Sequence, residues 1–104
     1  MGVVVTRAAV AGLTDGEVLE RMTAEGLAPS FWTGSPGQAF AWHEHPDTKI
    51  LYAVSGALTF TVRDGSSYPL VAGDRIDLAA HTQHAATVGP AGVRCIEAYR
   101  VGRP

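Results

Sequence analysis

The sequence lacks the features that mark several classes of protein. Its single cysteine, Cys95, cannot form a disulfide within the chain, which fits a reducing compartment such as the cytoplasm. Eight lysines and arginines stand against ten aspartates and glutamates, so no basic surplus indicates nucleic-acid binding. No apolar run approaches the ~18–20 residues that a membrane-spanning helix needs. We therefore expect a cytoplasmic protein with neither a nucleic-acid nor a membrane partner.

The length and composition are typical of one small globular domain. The chain has 104 residues, of which 46% are hydrophobic and 17% are charged. A disordered chain has fewer apolar residues, and a second hydrophobic core would need a longer chain. The sequence therefore predicts a single domain over residues 1–104.

The N-terminal residues fit two targeting patterns loosely. Residues 1–6 match the myristoylation consensus, and Arg7 with the apolar residues 8–13 is similar to a short secretory signal. That consensus also occurs in many unrelated chains, and an acidic, turn-forming segment follows residue 13 directly. We therefore interpret residues 3–10 as a β-strand of the domain.

A short helix is predicted after this strand. Thr14 and Glu17 have the spacing of a capping box, and apolar residues recur at helical spacing over 18–22. Gly26 is a natural helix terminator. The pattern predicts a helix over residues 15–25.

Beyond Pro29 the apolar residues alternate with a period of two, which is typical of strands. Glycine- and proline-containing turn signals separate the alternating segments. Many short strands at this spacing favour an all-β sandwich or barrel. The predicted strands are residues 38–45, 49–54, 57–63, 68–71, 75–78, 84–88 and 93–101.

The four histidines fall into two close pairs, His43 with His45 and His81 with His84. Residues i and i+2 of a strand face the same side, so His43 and His45 should project together. Neutral imidazole is the commonest metal ligand near pH 7, and His84 could supply a third ring. An isolated His-x-His pair would be better explained as a surface feature. We expect His81, on the preceding turn, to lie at the rim rather than to act as a fourth ligand.

The spacing of glycine and histidine resembles the first sequence motif of the cupin superfamily. That motif consists of Gly, five residues, His-x-His, a short gap, Glu, six residues and Gly. Gly37, His43, His45 and Gly56 stand at its positions. The motif's glutamate, a usual metal ligand, is replaced here by Lys49.

The second cupin motif is matched in part. It consists of Gly, five residues, Pro-x-Gly, two residues, His, three residues and Asn. Gly73 and His84 stand at the glycine and histidine positions, whereas Ala79, His81 and Val88 replace the Pro, Gly and Asn. Because both motifs match in order, the resemblance is more specific than either motif alone.

The resemblance implies an all-β fold, a cupin-like double-stranded β-helix (jelly-roll barrel), with one short N-terminal helix. The N-terminal strand and helix would occupy residues 1–30 and the barrel core residues 37–101. It further implies a divalent transition metal (zinc, iron, manganese, nickel or copper) and a homodimer. A small molecule would bind at the metal, as in a dioxygenase or an isomerase. The alternative is a non-catalytic ligand-binding or structural cupin with a vestigial or empty metal site. The implied metal ligands are His43, His45 and His84.

Lys49 raises the main chemical question, because it places a cation where cupins offer a carboxylate. It could turn away, lose its proton, or leave the site without metal. Glu97 shares a predicted strand face with apolar residues, and an unpaired carboxylate there would be costly to bury. We expect Lys49 to be its partner, with a bound metal or pairing of Lys49 with Asp47 as alternatives. Lys49 and Glu97 are then the candidate catalytic residues, with a role in proton transfer.

Two further expectations concern hydrophobic residues. Phe31, Trp32, Phe40 and Trp42 could border a pocket or cover a dimer interface, but burial in the core is favoured for a protein of this size. Cys95 should lie on the interior face of its strand as an unreactive small hydrophobic residue.

Overall fold

A computed structural model describes residues 2–101, and it has one helix and seven strands in that range. The predicted domain ends, residue 1 and residues 102–104, lie outside the described residues. The prediction of an all-β protein with one short helix is confirmed. Within residues 2–101 no helix has the length and apolar character needed to cross a membrane. The elements are β1 (Val3–Thr6), α1 (Asp15–Ala24), β2 (Ser30–Gly34), β3 (Ala39–His43), β4 (Thr48–Val62), β5 (Ser67–Val71), β6 (Arg75–Leu78) and β7 (His84–Arg100).

The seven strands form one antiparallel sheet around the two long strands β4 and β7. The strand order is β1-β6-β4-β7-β2, with β3 also paired to β7 and β5 also paired to β4. The first half of β4 pairs with β6 and its second half with β5. In the same way, β3 pairs with the first half of β7 and β2 with its second half. Each long strand therefore pairs with one short strand along its first half and with another along its second half, and so connects the two groups of short strands.

The long strands replace turns that the sequence predicted at residues 55–56 and 89–92. Gly56 and Gly92 have positive φ angles of 74° and 80°, and the β4–β7 register shifts on either side of Gly56. A Cβ atom at Gly56 would lie 2.0 Å from the carbonyl oxygen of Gly92. These glycines let the strands bend where they cross, so the prediction of chain reversals there was wrong.

Strand β1 ends at Thr6, four residues before the predicted end at Val10. The buried carboxylate of Asp74 accepts the backbone N–H of Ala8 at 2.9 Å, and Ala8 has a φ of 53°. The N–H of Val10 then donates to the carbonyl of Gly73. The strand ends because the Asp74 side chain binds the backbone at Ala8. Alternation in the local sequence does not reveal this contact, because Asp74 is far away in the chain.

Helix α1 matches the prediction closely. The N–H of Glu17 donates to the Thr14 hydroxyl at 3.2 Å, and the N–H of Thr14 donates to the Glu17 carboxylate at 2.9 Å. Both halves of the predicted capping box are therefore present. The helix buries Val18 and Met22 against the outer face of the sheet.

Alternation along β4 and β7 separates an inner core from a second core under the helix. In β4, Leu51 and Ala53 belong to the inner core, whereas Ile50 and Tyr52 pack beneath α1. The inner core is completed mainly by apolar residues of the second half of β4 and of β5, β6 and β7: Leu58, Phe60, Leu70, Ile76, Leu78, Ala86, Val88, Val93 and Cys95.

Candidate metal centre and adjoining cavity

Three of the four histidines meet at one end of the inner core. The candidate ligand nitrogens of His43, His45 and His84 all lie within 4.8 Å of one another. The ring centroids are 4.3 Å apart for His43 and His84, and 4.9 Å apart for His43 and His45. The three residues predicted from the two motifs are thus brought together in space.

Strand pairing places two of these rings, and a loop places the third. His43, the last residue of β3, is the register partner of His84, the first residue of β7. The predicted strand over 38–45 is too long, so His45 lies beyond β3 and simple strand alternation does not place it. Its carbonyl oxygen instead accepts the backbone N–H of His81 at 2.7 Å. This hydrogen bond holds the loop after β3 against the turn between β6 and β7.

Backbone carbonyls set the tautomers of two rings. Nδ1 of His43 lies 2.6 Å from the carbonyl oxygen of Ala41, and Nδ1 of His84 lies 2.8 Å from that of Thr82. A carbonyl oxygen only accepts, so in each case Nδ1 carries the hydrogen and donates it. In the neutral ring, Nε2 then carries the lone pair that can bind a metal ion.

Two of the Nε2 atoms are buried without a hydrogen-bond partner. Among the described residues, nothing donates to or accepts from Nε2 of His45 or of His84. Leaving a buried polar atom unsatisfied usually costs about 1–3 kcal/mol. A metal ion between the rings would satisfy both atoms, so the residues present fit a three-imidazole metal site.

The environment keeps the rings of His45 and His84 neutral. Burial is the main cause that lowers the pKa of His84 from 6.5 to about 4, and the nearby His43 and Lys49 act in the same direction. The pKa of His45 is also lowered, first by burial and then by the charge of Lys49. Both rings are therefore unprotonated at neutral pH, as metal ligands must be.

Lys49 and Glu97 form an ion pair inside the barrel. Nζ of Lys49 lies 3.2 Å from Oε1 of Glu97, and the two side chains are only 10% and 17% exposed. The same carboxylate oxygen accepts the indole N–H of Trp32 at 2.6 Å. The expected pairing of Glu97 with Lys49 is confirmed, and Lys49 points inward rather than away from the barrel.

A cavity of about 330 Å³ opens beside the histidines and this ion pair. His43, Lys49 and Glu97 supply its charged or metal-ligating groups, and aromatic and aliphatic side chains form most of the remaining wall. A few polar groups within an apolar wall is the usual pattern of a small-molecule site. The other lining residues are Trp32, Thr33, Gln38, Phe40, Leu58, Phe60 and Ala86.

His81 lies outside the three-histidine group, as expected for a rim residue. Its Nδ1 is 2.9 Å from the carboxylate of Glu44, and its side chain is 68% exposed. Its φ of 63° belongs to the left-handed region, at the position where the cupin motif has glycine. His81 therefore holds the ligand loop through its backbone, while its ring stays at the surface.

The four aromatic residues divide into two groups. Trp32 and Phe40 pack edge to face with centroids 5.6 Å apart, and both line the cavity. Phe31 and Trp42 are 45% and 41% exposed, so the expectation of core burial was wrong for these two. Phe31 lies on the opposite face of β2 from Trp32. Trp42 lies in the segment between Phe40 and His43, where the β3–β7 pairing is irregular.

Trp32 was one of four aromatic residues that could border a pocket, and the sequence did not distinguish it from the other three. Strand β2, over Ser30–Gly34, was not predicted, because this short segment lies between prolines at positions 29 and 36. In β2 Trp32 faces the interior while Phe31 and Thr33 are exposed. Alternation over these residues is the signal that could have identified Trp32.

Cys95 is buried and unreactive in character. Burial raises the pKa of its thiol to about 12, so the thiol is protonated at neutral pH. It belongs to the inner core, on the interior face of β7, as the sequence predicted.

Comparison with known proteins identifies the fold. A sequence model of the family described as Cupin domain matches residues 30–99. No curated protein matches the chain significantly. Among solved structures, an RmlC-like cupin from Shewanella frigidimarina has 27% identity and a TM-score of 0.63 over 74% of this chain and 68% of that chain.

Two further structures are similar in fold. A conserved protein with a double-stranded β-helix domain from Klebsiella pneumoniae has 25% identity and a TM-score of 0.63, over 74% of this chain and 69% of that one. The DMSP lyase DddQ from Ruegeria pomeroyi has 20% identity and a TM-score of 0.65, over 71% of this chain. The match spans only 38% of the lyase, so this likeness concerns the fold alone. These neighbours confirm the predicted double-stranded β-helix.

Proposed function

The chain belongs to the cupin domain family, and on that premise we propose that it holds one divalent transition metal ion on His43, His45 and His84. We further propose that a small molecule binds in the cavity beside that ion. The observation that carries the proposal is the pair of buried, unpartnered Nε2 atoms on His45 and His84. Apolar packing alone would not leave two such nitrogen atoms unpartnered beside a third imidazole.

The donor set restricts the kind of ion. Three neutral imidazoles suit zinc, iron, nickel and copper, and manganese is the remaining candidate although it favours oxygen ligands. The side chain at position 49, where cupins offer a carboxylate, supplies a cation that Glu97 neutralises. When bound, the ion would act as a Lewis acid on an oxygen atom of the ligand.

The ion pair beside the site could serve in proton transfer. Lys49 carries protons that it can donate, and the carboxylate of Glu97 lies 3.2 Å away as an acceptor. Both groups line the cavity, so a bound ligand would meet them directly. This arrangement supports an enzymatic role, such as that of a dioxygenase or an isomerase.

A non-catalytic ligand-binding cupin is the second candidate. The observation that favours it is that Glu97 already receives the indole N–H of Trp32 as well as the ion pair with Lys49. A carboxylate held by two partners is less free to accept a proton from a substrate. In a non-catalytic protein, the ion pair would maintain the shape and charge of the cavity and would take part in no reaction.

Elemental analysis of protein purified without an affinity tag tests the metal site. We expect one metal ion per chain in the natural protein and in His81→Ala, which serves as the matched histidine control. His43→Ala and His84→Ala should each lose the ion. Undetectable metal, together with an unchanged melting temperature after addition of each of the five metals, would overturn the proposal.

Turnover assays distinguish the enzyme from the binding protein. The metal-loaded protein is screened for oxygen uptake and for isomerisation with small phenolic, keto and sugar compounds. Turnover that is lost in Lys49→Met, while the metal content stays the same, supports proton transfer by the ion pair. Binding without turnover across the series supports the non-catalytic alternative.

We also propose that the chain forms a homodimer. Among residues 2–101, the strands β1 and β2 end the sheet order, and each pairs with one other strand. Unpaired strand edges favour association. Phe31 of β2 adds an exposed aromatic ring near one of these edges. Light scattering during size-exclusion chromatography measures the mass directly, and a monomer at all concentrations would contradict this proposal.

A further inference from the structure

The cavity beside the histidines has a charge balance that restricts its ligand. Lys49 and Glu97 are the charged side chains that line it, and they form an ion pair with each other. The ammonium group of Lys49 and the carboxylate of Glu97 therefore cancel each other's charge. A divalent ion on the three rings would therefore retain its full charge within a largely apolar wall. Such a charge is stabilised by an anion in contact with it.

Lys49 offers a second contact for that anion. An ammonium group has three N–H donors, and the contact with Oε1 of Glu97 takes one of them. Nζ lies 6.0 Å from the ring centroids of Trp32 and Phe60, so it sits between two aromatic walls of the cavity. An anion with two oxygen atoms could direct one towards the histidines and the other towards this ammonium group.

The rest of the cavity suits an apolar body. Most of its remaining wall is aromatic or aliphatic, and Thr33 and Gln38 add uncharged polar side chains to it. The apolar lining residues are Trp32, Phe40, Leu58, Phe60 and Ala86. The volume of about 330 Å³ lies at the lower end of the range for ligand sites, ~300–1,000 Å³. A single ring or a short branched chain is the appropriate size. A highly hydroxylated molecule would leave most of its hydroxyl groups unpaired against the apolar part of the wall.

From these observations we propose that the cavity binds a small apolar monocarboxylate, with its carboxylate between Lys49 and the histidine site and its body between Trp32, Phe40 and Leu58. This inference rests on the proposed function for the charge of the metal ion. Lys49 is then the residue that determines specificity for an anion.

Titration calorimetry with benzoate as the probe tests the inference on metal-loaded protein. Benzamide has the same shape without the charge, and acetate has the charge without the apolar body. We expect benzoate to bind at least about ten-fold more tightly than either, on the scale of one charge-assisted hydrogen bond or one buried apolar group. Equal affinity for benzamide, or for acetate, overturns the inference, and this comparison needs no variant.

A double variant isolates the contribution of Lys49. Lys49→Met with Glu97→Gln removes both charges together, so the balance of charge is kept while the ammonium donors are lost. Benzoate should bind about ten-fold more weakly to this variant, at equal metal content. Arg21→Met, which removes an exposed arginine on α1, is the matched control and should bind benzoate as the natural protein does. Unchanged affinity in the double variant overturns the role of Lys49.

Metal content measured on the same samples separates the two proposals. If the ion is present and benzoate shows no preference over benzamide, the ligand inference fails and the metal site stands. If no ion binds but benzoate is still preferred, and the preference is lost in the double variant, the metal proposal fails and the anion specificity of Lys49 stands.

Discussion

Lys49 of β4 and Glu97 of β7 meet diagonally across a strand pair, with Nζ and Oε1 3.2 Å apart inside the barrel. The register pairs Lys49 with Tyr99, and it pairs Leu51 with Glu97. Both charged side chains therefore point into the barrel on the same face as Leu51. The ion pair is possible there because each charge has the other as its partner.

Removal of one charge of this pair should destabilise the protein, and removal of both should restore much of the stability. Lys49→Met leaves the carboxylate of Glu97 in the barrel without its cation, and breaking a buried pair costs about 3 kcal/mol. The double variant Lys49→Met with Glu97→Gln leaves no unpaired charge. Urea denaturation of metal-free protein measures the free energy of unfolding of each. Glu44→Gln, which breaks the exposed pair with His81, is the control and should change that free energy by less than about 1 kcal/mol. Equal losses in the single and double variants would contradict the explanation.

The stability of the metal-free protein should fall as the pH drops from 6.5 towards 4. Burial lowers the pKa of His84 to about 4, so between these values the unfolded chain binds a proton that the folded protein excludes. Each unit of difference in pKa corresponds to ~1.4 kcal/mol in the free energy of unfolding. Urea titrations at several pH values test this, with His84→Leu as the control, since it lacks the titrating group. A loss of stability over this range that is as large in His84→Leu as in the natural chain would assign the effect to other groups.

Gly56→Ala should disrupt the crossing of β4 and β7. The added Cβ would lie 2.0 Å from the carbonyl oxygen of Gly92, at a residue whose φ is already 74°. We expect a loss of more than about 3 kcal/mol, because backbone rather than a flexible side chain must move. Gly65→Ala is the matched control, since Gly65 also has a positive φ, of 93°, but has open space around its Cβ position. Thermal unfolding of both variants measures the difference, and similar melting temperatures would mean that the bend does not depend on the close approach.

Cys95 should resist thiol reagents in the folded protein. Its pKa of about 12 and its complete burial leave neither thiolate nor access. Ellman's reagent should therefore titrate no thiol under native conditions and one thiol per chain in denaturant. Rapid reaction of the native protein would show that the barrel opens more readily than its packing indicates.

Much of the fold could be predicted because local patterns carry it. The capping box at Thr14 and Glu17 specifies the start of the helix, and period-two alternation indicates the strands. The histidine spacing was sufficient to select His43, His45 and His84, since these positions belong to two motifs matched together. Glycines were misleading at positions 56 and 92, because a positive φ serves a bend within a strand as well as a turn between strands.

The sequence by itself determined the helix, most of the strand segments, the three imidazoles and the presence of one lysine where cupins offer a carboxylate. Only the tertiary structure decided that Lys49 meets Glu97, that Trp32 donates to the same carboxylate, and that these groups share a cavity with the histidines. The reason is that these contacts depend on the register between β2, β4 and β7. That register is selected by burial of the whole inner core, so residues far apart in the chain specify it together.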